Sequence, residues 1–175
     1  VQTQRTTPQR RLASTARAPA IVELSRTPWT SGEAPGITAA HLDAVRSRLG
    51  PGGVYLLCTH LSWWPDGGPA AIGRQLTATF EHVQVWLPPQ GADSLIWVAS
   101  EAPISLQRLT ERYENATGPL AHLGYSSATG LAGTAIAGWT GIAHWGAGAP
   151  PLPSADHLGP SLFAKPVFHA AGLAG

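Results

Sequence analysis

An α/β fold is what the sequence predicts, and three observations lead to it. First, 43% of the 175 residues are hydrophobic, which is enough to build one substantial core. Second, short apolar runs alternate with amphipathic stretches, which is the order of strands and helices in α/β sheets. Third, glycine and proline clusters separate these stretches where turns are needed. We therefore expect one domain over residues 20–175, preceded by a tail over residues 1–19.

Charge and cysteine content exclude several classes of protein. The 11 basic and 10 acidic residues nearly cancel, which disfavours a dedicated nucleic-acid binder. Cys58 is the one cysteine of the sequence, so an internal disulfide and a zinc finger are excluded. Charged residues make up 12% of the chain, against about 25% in an average domain, and so thinly charged a surface favours a partner. Because the sequence begins with Val1 and has no methionine, we expect it to be a piece of a longer protein.

The first 19 residues are basic and polar, with four arginines and no acidic residue. They show no apolar periodicity, so we expect a disordered, solvated tail or an upstream linker. An organelle transit peptide is the alternative that this composition leaves open. The stretch has no apolar core segment, which excludes a secretory signal.

The first part of the domain reads as strand, helix and strand. Residues 20–24 are a short apolar run that predicts a buried parallel strand with Glu23 at its carboxyl edge. Residues 37–49 have apolar positions at helical spacing, and the glycines and proline of residues 50–53 end that helix. Residues 54–58 form a continuous apolar run, which predicts a strand covered on both faces, with Cys58 as a small core residue.

The second part predicts two further helices and a strand pair. Residues 70–80 and 103–113 have amphipathic helical patterns. Residues 83–87 alternate like a half-buried strand, and residues 94–99 form another strand after a turn, so we expect an antiparallel pair. Residues 128–148 carry no charge, and their large apolar residues recur every three to five positions, which predicts a buried or docking helix. A membrane span is the alternative for this last segment.

Four stretches together resemble a known family. Residues 28–32 (Pro-Trp-Thr-Ser-Gly) resemble a proline-tryptophan-x-serine-glycine loop, and residues 41–54 resemble a helix followed by an arginine-leucine-x-proline-glycine-glycine turn. Residues 80–86 are similar to a phenylalanine-proline-histidine-valine-x-x-tryptophan motif, and residues 93–106 to a last strand with an alanine-serine-x-x-proline-leucine exit. In this order they resemble the bacterial spermidine-synthase-like branch of the spermidine synthase family, from about residue 21 to about residue 166.

The resemblance implies a Rossmann-like sheet of the class I methyltransferase type, of which this chain holds the C-terminal half. It implies an antiparallel final strand pair, extra C-terminal helices, and residues 54–58 lying beside residues 83–87. Such enzymes hold an adenosyl-sulfonium donor with a glycine-rich turn that follows the first strand. No G-x-G-x-x-G occurs in the sequence, so we expect no cofactor bound by this chain alone. Decarboxylated S-adenosylmethionine or S-adenosylmethionine is the co-substrate of the parent family.

The resemblance also implies an acceptor site. It makes Glu23 the candidate base and anchor for a cationic polyamine, with Ser25 and Trp29 as candidate substrate-binding residues. If the alignment gap is placed elsewhere, Leu24 takes the acidic position instead. A carboxylate paired with Arg26 or capping a backbone turn is the structural alternative for Glu23, as a packing plug is for Trp29.

The C-terminal motif departs from the family pattern. Its asparagine-threonine-aspartate-aspartate run corresponds to a stretch in which two polar positions have become Pro153 and Ala155. Asp156, Pro160 and Leu162 still match, and Asp156 is the remaining candidate for substrate binding. Loss of the other polar side chains favours loss of acceptor recognition.

Other catalytic groupings are weaker. His60, Ser62 and Asp66 are the residue types of a hydrolase triad, but Ser62 lacks the glycine-flanked elbow that exposes a nucleophile. No histidine pairs with a carboxylate at helical spacing, which disfavours a metal site.

The leading hypothesis is a spermidine-synthase-like protein whose parent family transfers an aminopropyl group to a polyamine, inactive as this fragment. One alternative is a degenerate, non-catalytic relative that associates with a partner through a weakly charged, tryptophan-rich surface. Another alternative is a small-molecule methyltransferase. The partners we expect are a polyamine substrate and either a homodimer or a missing N-terminal half, with no nucleic acid and no membrane span. We expect a cytoplasmic protein, or one attached to a membrane through a missing N-terminal domain.

Overall fold

Helices and strands alternate along most of the chain. A computed structural model describes residues 17–24, 37–61, 67–88 and 93–149. In these ranges the elements are β1 (Ala18–Leu24), α1 (Ala39–Arg48), β2 (Leu49–His60), α2 (Gly68–Thr79), β3 (His82–Trp86), β4 (Ser94–Ser100), α3 (Leu106–Glu114), α4 (Thr117–His122), α5 (Ala128–Ala132), β5 (Ala135–Ala137) and α6 (Trp139–Gly146). The mixed α/β class predicted from the sequence is confirmed.

The five strands form one sheet in the order β1-β2-β4-β3-β5. β1 and β2 are parallel, and every other neighbouring pair is antiparallel. The antiparallel pairing predicted for residues 83–87 and 94–99 is therefore confirmed.

The expectation that residues 54–58 lie beside residues 83–87 is wrong, because β4 lies between β2 and β3. Both β4 and β3 have a neighbour on each side, so neither is an edge strand, and this order is set by pairing across the sheet.

The first helix ends without help from glycine. Thr38 caps its N-terminus by accepting a hydrogen bond from the backbone N–H of His41. Leu49 ends α1 in an extended conformation, so β2 starts at once and contains the glycines of residues 50–53. Gly52 has a φ of 67°, which is the left-handed region that favours glycine. The predicted turn therefore lies inside the strand rather than between helix and strand.

The second and third predicted helices are confirmed near their expected limits. Gly67 precedes α2 with a φ of 83°, and Pro69 occupies its first turn, where a missing N–H costs nothing. Ser105 caps α3 by accepting a hydrogen bond from the backbone N–H of Arg108.

The hydrophobic core lies on one face of the sheet, beneath α1, α2 and α6. Its members are Ile37, Leu42, Val45, Leu49, Tyr55, Leu57, Ile72, Leu76, Phe80, Val83, Val85, Leu95, Trp97, Ala99 and Ile142. Trp97 is fully buried, and its ring stacks on that of Trp145 with centroids 6.3 Å apart. Gly73 allows α2 to pack closely against α6, since a Cβ at this position would lie 2.8 Å from the side chain of Ile142 in α6.

The prediction that residues 20–24 and 54–58 are buried on both faces is wrong for the part of the chain that the structure describes. Val22 and Leu24 point to the face opposite the core and are exposed. Cys58 lies on that same opposite face and is half-buried, not a core residue.

Residues 128–148 do not form the single helix predicted. α5 ends at Ala132, β5 pairs with β3, and α6 starts after Gly138. Gly133 and Gly138 flank this short strand. Because glycine has a low helix propensity, the segment between them is free to pair with the sheet. Within the four described ranges, no helix has both the length and the apolar character that crossing a bilayer requires.

Candidate functional site

The carboxyl edge of the sheet brings the chemistry-bearing side chains together. β1 and β2 are parallel and end at Leu24 and His60. β4 starts at Ser94, opposite His60, because it runs antiparallel to β2. Ligands of open α/β sheets bind outside the carboxyl ends of the strands, so this edge is the candidate site.

Glu23 is held by two donors on the core side of this edge. Its Oε1 lies 2.8 Å from Nε2 of His41, and its Oε2 accepts a hydrogen bond of 2.7 Å from the Tyr55 hydroxyl. The parallel register pairs Glu23 with Leu57, which places its side chain on the same face as Tyr55. The Glu23 side chain is 22% exposed among the described residues, so it is only partly buried.

The two donors are buried more deeply than the carboxylate they hold. His41 lies in the first turn of α1 and is fully buried, and its Nδ1 has no hydrogen-bond partner among the described residues. Tyr55 is also fully buried, and its ring stacks on Phe80 with centroids 5.9 Å apart. Burial, and then the negative charge of Glu23, raise the pKa of Tyr55, so this hydroxyl stays protonated and donating.

This arrangement can hold a negative charge at a fixed place. Each carboxylate oxygen has two acceptor positions, and one position on each is used by His41 or Tyr55. The remaining positions can accept from an ammonium group at the exposed side of Glu23. Hydrogen bonds to a charged group are the stronger kind, so the geometry favours binding of a cationic amine.

A second cluster of polar side chains lies at the same edge. Nδ1 of His60 is 3.0 Å from the Ser94 hydroxyl and 3.6 Å from Oδ2 of Asp93. In a hydrolase triad the serine and the carboxylate use different nitrogens of the imidazole. Here both lie at Nδ1, so these three residues do not have the geometry of a triad.

The structure places one of the predicted site residues. Glu23 is the penultimate residue of β1, at the carboxyl edge where the sequence predicts it, and its partners are His41 and Tyr55. Ser25, Trp29 and Asp156 lie outside the described residues, as do Arg26, Ser62 and Asp66. The described ranges hold no group of three or more metal-ligating side chains.

Sequence reasoning missed His41 and Tyr55. His41 is on the buried stripe of α1 together with Leu42 and Val45, and a histidine in that stripe is a usable signal. Tyr55 is the one residue of the apolar run at 54–58 with a hydroxyl that must find a partner when buried.

Comparison with known proteins gives a structural likeness and no sequence match. No family model matches the chain, and no curated protein matches it. Among solved structures, the chain is similar to a probable spermidine synthase from Corynebacterium glutamicum ATCC 13032, at 15% identity and a TM-score of 0.48. The similarity covers 83% of this chain and 51% of that one, so the chain spans about half the length of that structure. The likeness concerns the course of the backbone and assigns no residue a role.

Proposed function

We propose that this chain supplies the acceptor side of a spermidine-synthase-like aminopropyltransferase, with Glu23 binding the cationic amine. The observation that carries the proposal is the Glu23 carboxylate at the carboxyl end of β1, held by His41 and Tyr55 and partly exposed. The four motifs in family order support the same proposal. We interpret the sheet accordingly as the C-terminal half of a Rossmann-like, methyltransferase-type sheet, in which β3 and β4 are the final antiparallel pair.

The proposed chemistry is a nucleophilic displacement. The acceptor's ammonium group loses a proton to Glu23, and the free amine attacks the methylene carbon beside the donor's sulfonium sulfur. A carbon–nitrogen bond forms, the carbon–sulfur bond breaks, and the bonding electron pair leaves with sulfur as a neutral thioether. Glu23 contributes by binding the amine and accepting its proton.

The donor site and the remaining acceptor contacts are further parts of the proposal. We assign Ser25, Trp29 and Asp156 to the acceptor pocket on the sequence resemblance alone. Decarboxylated S-adenosylmethionine is the proposed donor, and we expect another polypeptide segment to bind it. We accordingly expect the chain by itself to bind a polyamine but not to turn it over, in a cytoplasmic setting.

Calorimetric titration of putrescine tests the binding step. We expect the wild-type chain to bind putrescine and the Glu23→Gln variant to bind it at least about tenfold more weakly, because the amide carries no charge. Glu114→Gln is the matched control, since Glu114 is an exposed carboxylate on α3. Equal binding by wild type and Glu23→Gln, or no binding by wild type, would refute the assignment of Glu23.

Mass-spectrometric detection of spermidine tests turnover. With putrescine and decarboxylated S-adenosylmethionine supplied, we expect no product from the wild-type chain. Product that disappears in Glu23→Gln would show that the chain is active and that Glu23 is essential. Product that persists in Glu23→Gln would contradict both the expected inactivity of the chain and the role of Glu23 as the base.

A further inference from the structure

His41 is a buried histidine with a partner at only one of its two ring nitrogens among the described residues. It is fully buried in the first turn of α1, and its Nε2 lies 2.8 Å from Oε1 of Glu23. Its Nδ1 is also buried and has no hydrogen-bond partner in the described ranges. Burial of a polar atom without a partner carries a free-energy cost. Packing does not account for that cost, because an apolar side chain would fill the same place in the buried stripe of Leu42 and Val45.

The unpartnered Nδ1 indicates where the imidazole carries its proton. A neutral imidazole has one donor nitrogen and one acceptor nitrogen, and an imidazolium has two donors. A proton on Nδ1 would therefore be a buried N–H without an acceptor, and in the imidazolium it would belong to a buried charge as well. A proton on Nε2 points at Oε1 of Glu23 instead. The geometry favours a neutral His41 that donates from Nε2.

Two elements of the fold fix the Glu23 carboxylate from different directions. Thr38 begins α1 by accepting a hydrogen bond from the backbone N–H of His41, which sets the direction of the His41 side chain. This side chain reaches Oε1, and Tyr55 reaches Oε2 from β2. The carboxylate is thus held at both oxygens before any ligand binds.

Neutral donors are suited to a site that binds a cation. An arginine, a lysine or an imidazolium at the place of His41 would fix the carboxylate but would also offset its negative charge, which weakens its attraction for an ammonium group. A neutral imidazole and a phenolic hydroxyl fix it and leave that charge in place. The two donors that Glu23 has, His41 and Tyr55, are both of this kind.

We propose that His41 is a positioning residue of the amine site, which holds Glu23 in the orientation that receives the ammonium group. This inference rests on the proposed function. A flexible side chain loses rotational freedom when it binds a ligand, whereas a side chain that is already fixed loses less. Because His41 is fully buried, it acts through Glu23 and not on the amine itself.

Calorimetric titration of putrescine into His41 variants tests the positioning role. His41→Gln keeps an N–H donor near the place of Nε2, whereas His41→Leu fills the buried position and has no donor. We expect His41→Gln to bind putrescine within about twofold of the wild type. We expect His41→Leu to bind it at least about threefold more weakly, which is the fold-change that ordering one flexible side chain costs.

His82→Gln is the matched control for these variants. His82 pairs with Ser100, the last residue of β4, so it lies at the end of the sheet opposite to Glu23. We expect this variant to bind putrescine like the wild type. Circular dichroism of all three variants checks that the fold is intact.

The outcomes separate this inference from the function on which it rests. Equal binding by the wild type and His41→Leu would overturn the positioning role and leave the amine site standing. A loss in His41→Gln as large as that in His41→Leu would also overturn it, because the N–H donor would then not be what matters. A wild type that binds no putrescine would refute the proposed function and, with it, the role of His41 in amine binding.

Nuclear magnetic resonance of the ring nitrogens tests the protonation state in the chain without ligand. In histidine labelled with ¹⁵N, protonated and unprotonated ring nitrogens give separate signals, and the His41→Gln variant identifies those of His41. We expect a protonated Nε2 and an unprotonated Nδ1. A proton on Nδ1 would overturn the inference whether or not putrescine binds, because His41 would then not be a neutral donor to Glu23.

Discussion

Two clusters at the carboxyl edge of the sheet are built from the same kinds of side chain and differ in burial. Glu23, His41 and Tyr55 join a carboxylate, an imidazole and a hydroxyl through contacts of 2.8 and 2.7 Å. Asp93, His60 and Ser94 bring the same three groups together at 3.6 and 3.0 Å. His41 is fully buried, whereas His60 is 39% and Asp93 is 63% exposed.

The difference shows which cluster can hold a charge in a fixed position. Water competes for every hydrogen bond of the exposed cluster and screens its charges. The contacts among Asp93, His60 and Ser94 therefore contribute little to stability. Water competes less in the cluster of Glu23, because its two donors are fully buried and Glu23 is only 22% exposed, and loss of one member takes a hydrogen bond from a buried group. Position at the strand ends is shared by both clusters, so burial is what makes Glu23 the stronger candidate for a functional carboxylate.

The largest expected effect separates the two histidines. We expect His41→Ala to lower the free energy of unfolding by about 3 kcal/mol, because it leaves a cavity beneath α1 and removes a donor from Glu23. We expect His60→Ala to cost less than about 0.5 kcal/mol, as substitutions at exposed sites usually do. Urea unfolding followed by tryptophan fluorescence measures both. Losses of similar size would refute the contrast between the clusters.

The next effect concerns the hydroxyl that binds Glu23. Tyr55→Phe keeps the ring and its stacking on Phe80 but removes the donor to Oε2. We expect a loss of about 2 kcal/mol, because the unpaired acceptor is a charged and partly buried carboxylate.

Tyr113→Phe is the control for Tyr55→Phe, since Tyr113 donates to the neutral backbone carbonyl of Tyr125. We expect it to cost about 1 kcal/mol or less in the same urea titration. The interpretation fails if this control loses more stability than Tyr55→Phe.

A rise in pH tests the ionisation of the Tyr55 hydroxyl in the wild-type chain, without a substitution. The folded chain raises the pKa of Tyr55, so above about pH 10 the unfolded chain releases a proton that the folded chain retains. Stability therefore falls with rising pH, by up to about 1.4 kcal/mol per pH unit from this group. We expect the wild type to lose stability more steeply than Tyr55→Phe above pH 10, in urea titrations at several pH values. Parallel curves for the two proteins would show that Tyr55 ionises normally.

The smallest expected effect is on the exposed cluster. We expect Asp93→Asn to change the free energy of unfolding by no more than about 0.5 kcal/mol, with little dependence on salt, because Asp93 is exposed and 3.6 Å from His60. A larger loss in low salt that disappears in high salt would show that the exposed cluster is an effective ion pair after all.

Local features of the fold could be predicted from the sequence, but contacts between distant segments could not. The helix over residues 39–48 and the apolar strand after it follow from periodicity and composition. The insertion of β4 between β2 and β3 depends on pairing across the sheet, which no local pattern specifies. The single helix predicted for residues 128–148 is wrong. Apolar residues spaced by three to five positions suit a helix, but pairing with β3 makes Ala135–Ala137 a strand of the sheet.

The same limit applies to the candidate site. Glu23 could be placed at a strand end because a polar residue follows an apolar run. Its partners could not be found in that way, because His41 is 18 positions away and Tyr55 is 32 positions away. Their meeting depends on the parallel register of β1 and β2 and on the rotation of α1 about its axis, which are set by packing of the whole core.

Nuclear magnetic resonance of the Glu23 carboxyl carbon tests the central claim most directly. Glutamate labelled with ¹³C at this carbon gives one signal per glutamate, and the Glu23→Gln variant identifies the signal of Glu23. We predict that putrescine shifts this signal in a saturable manner and leaves the signals of exposed glutamates such as Glu114 unchanged. A Glu23 signal that does not respond to putrescine, or that moves no more than the others, would contradict the account.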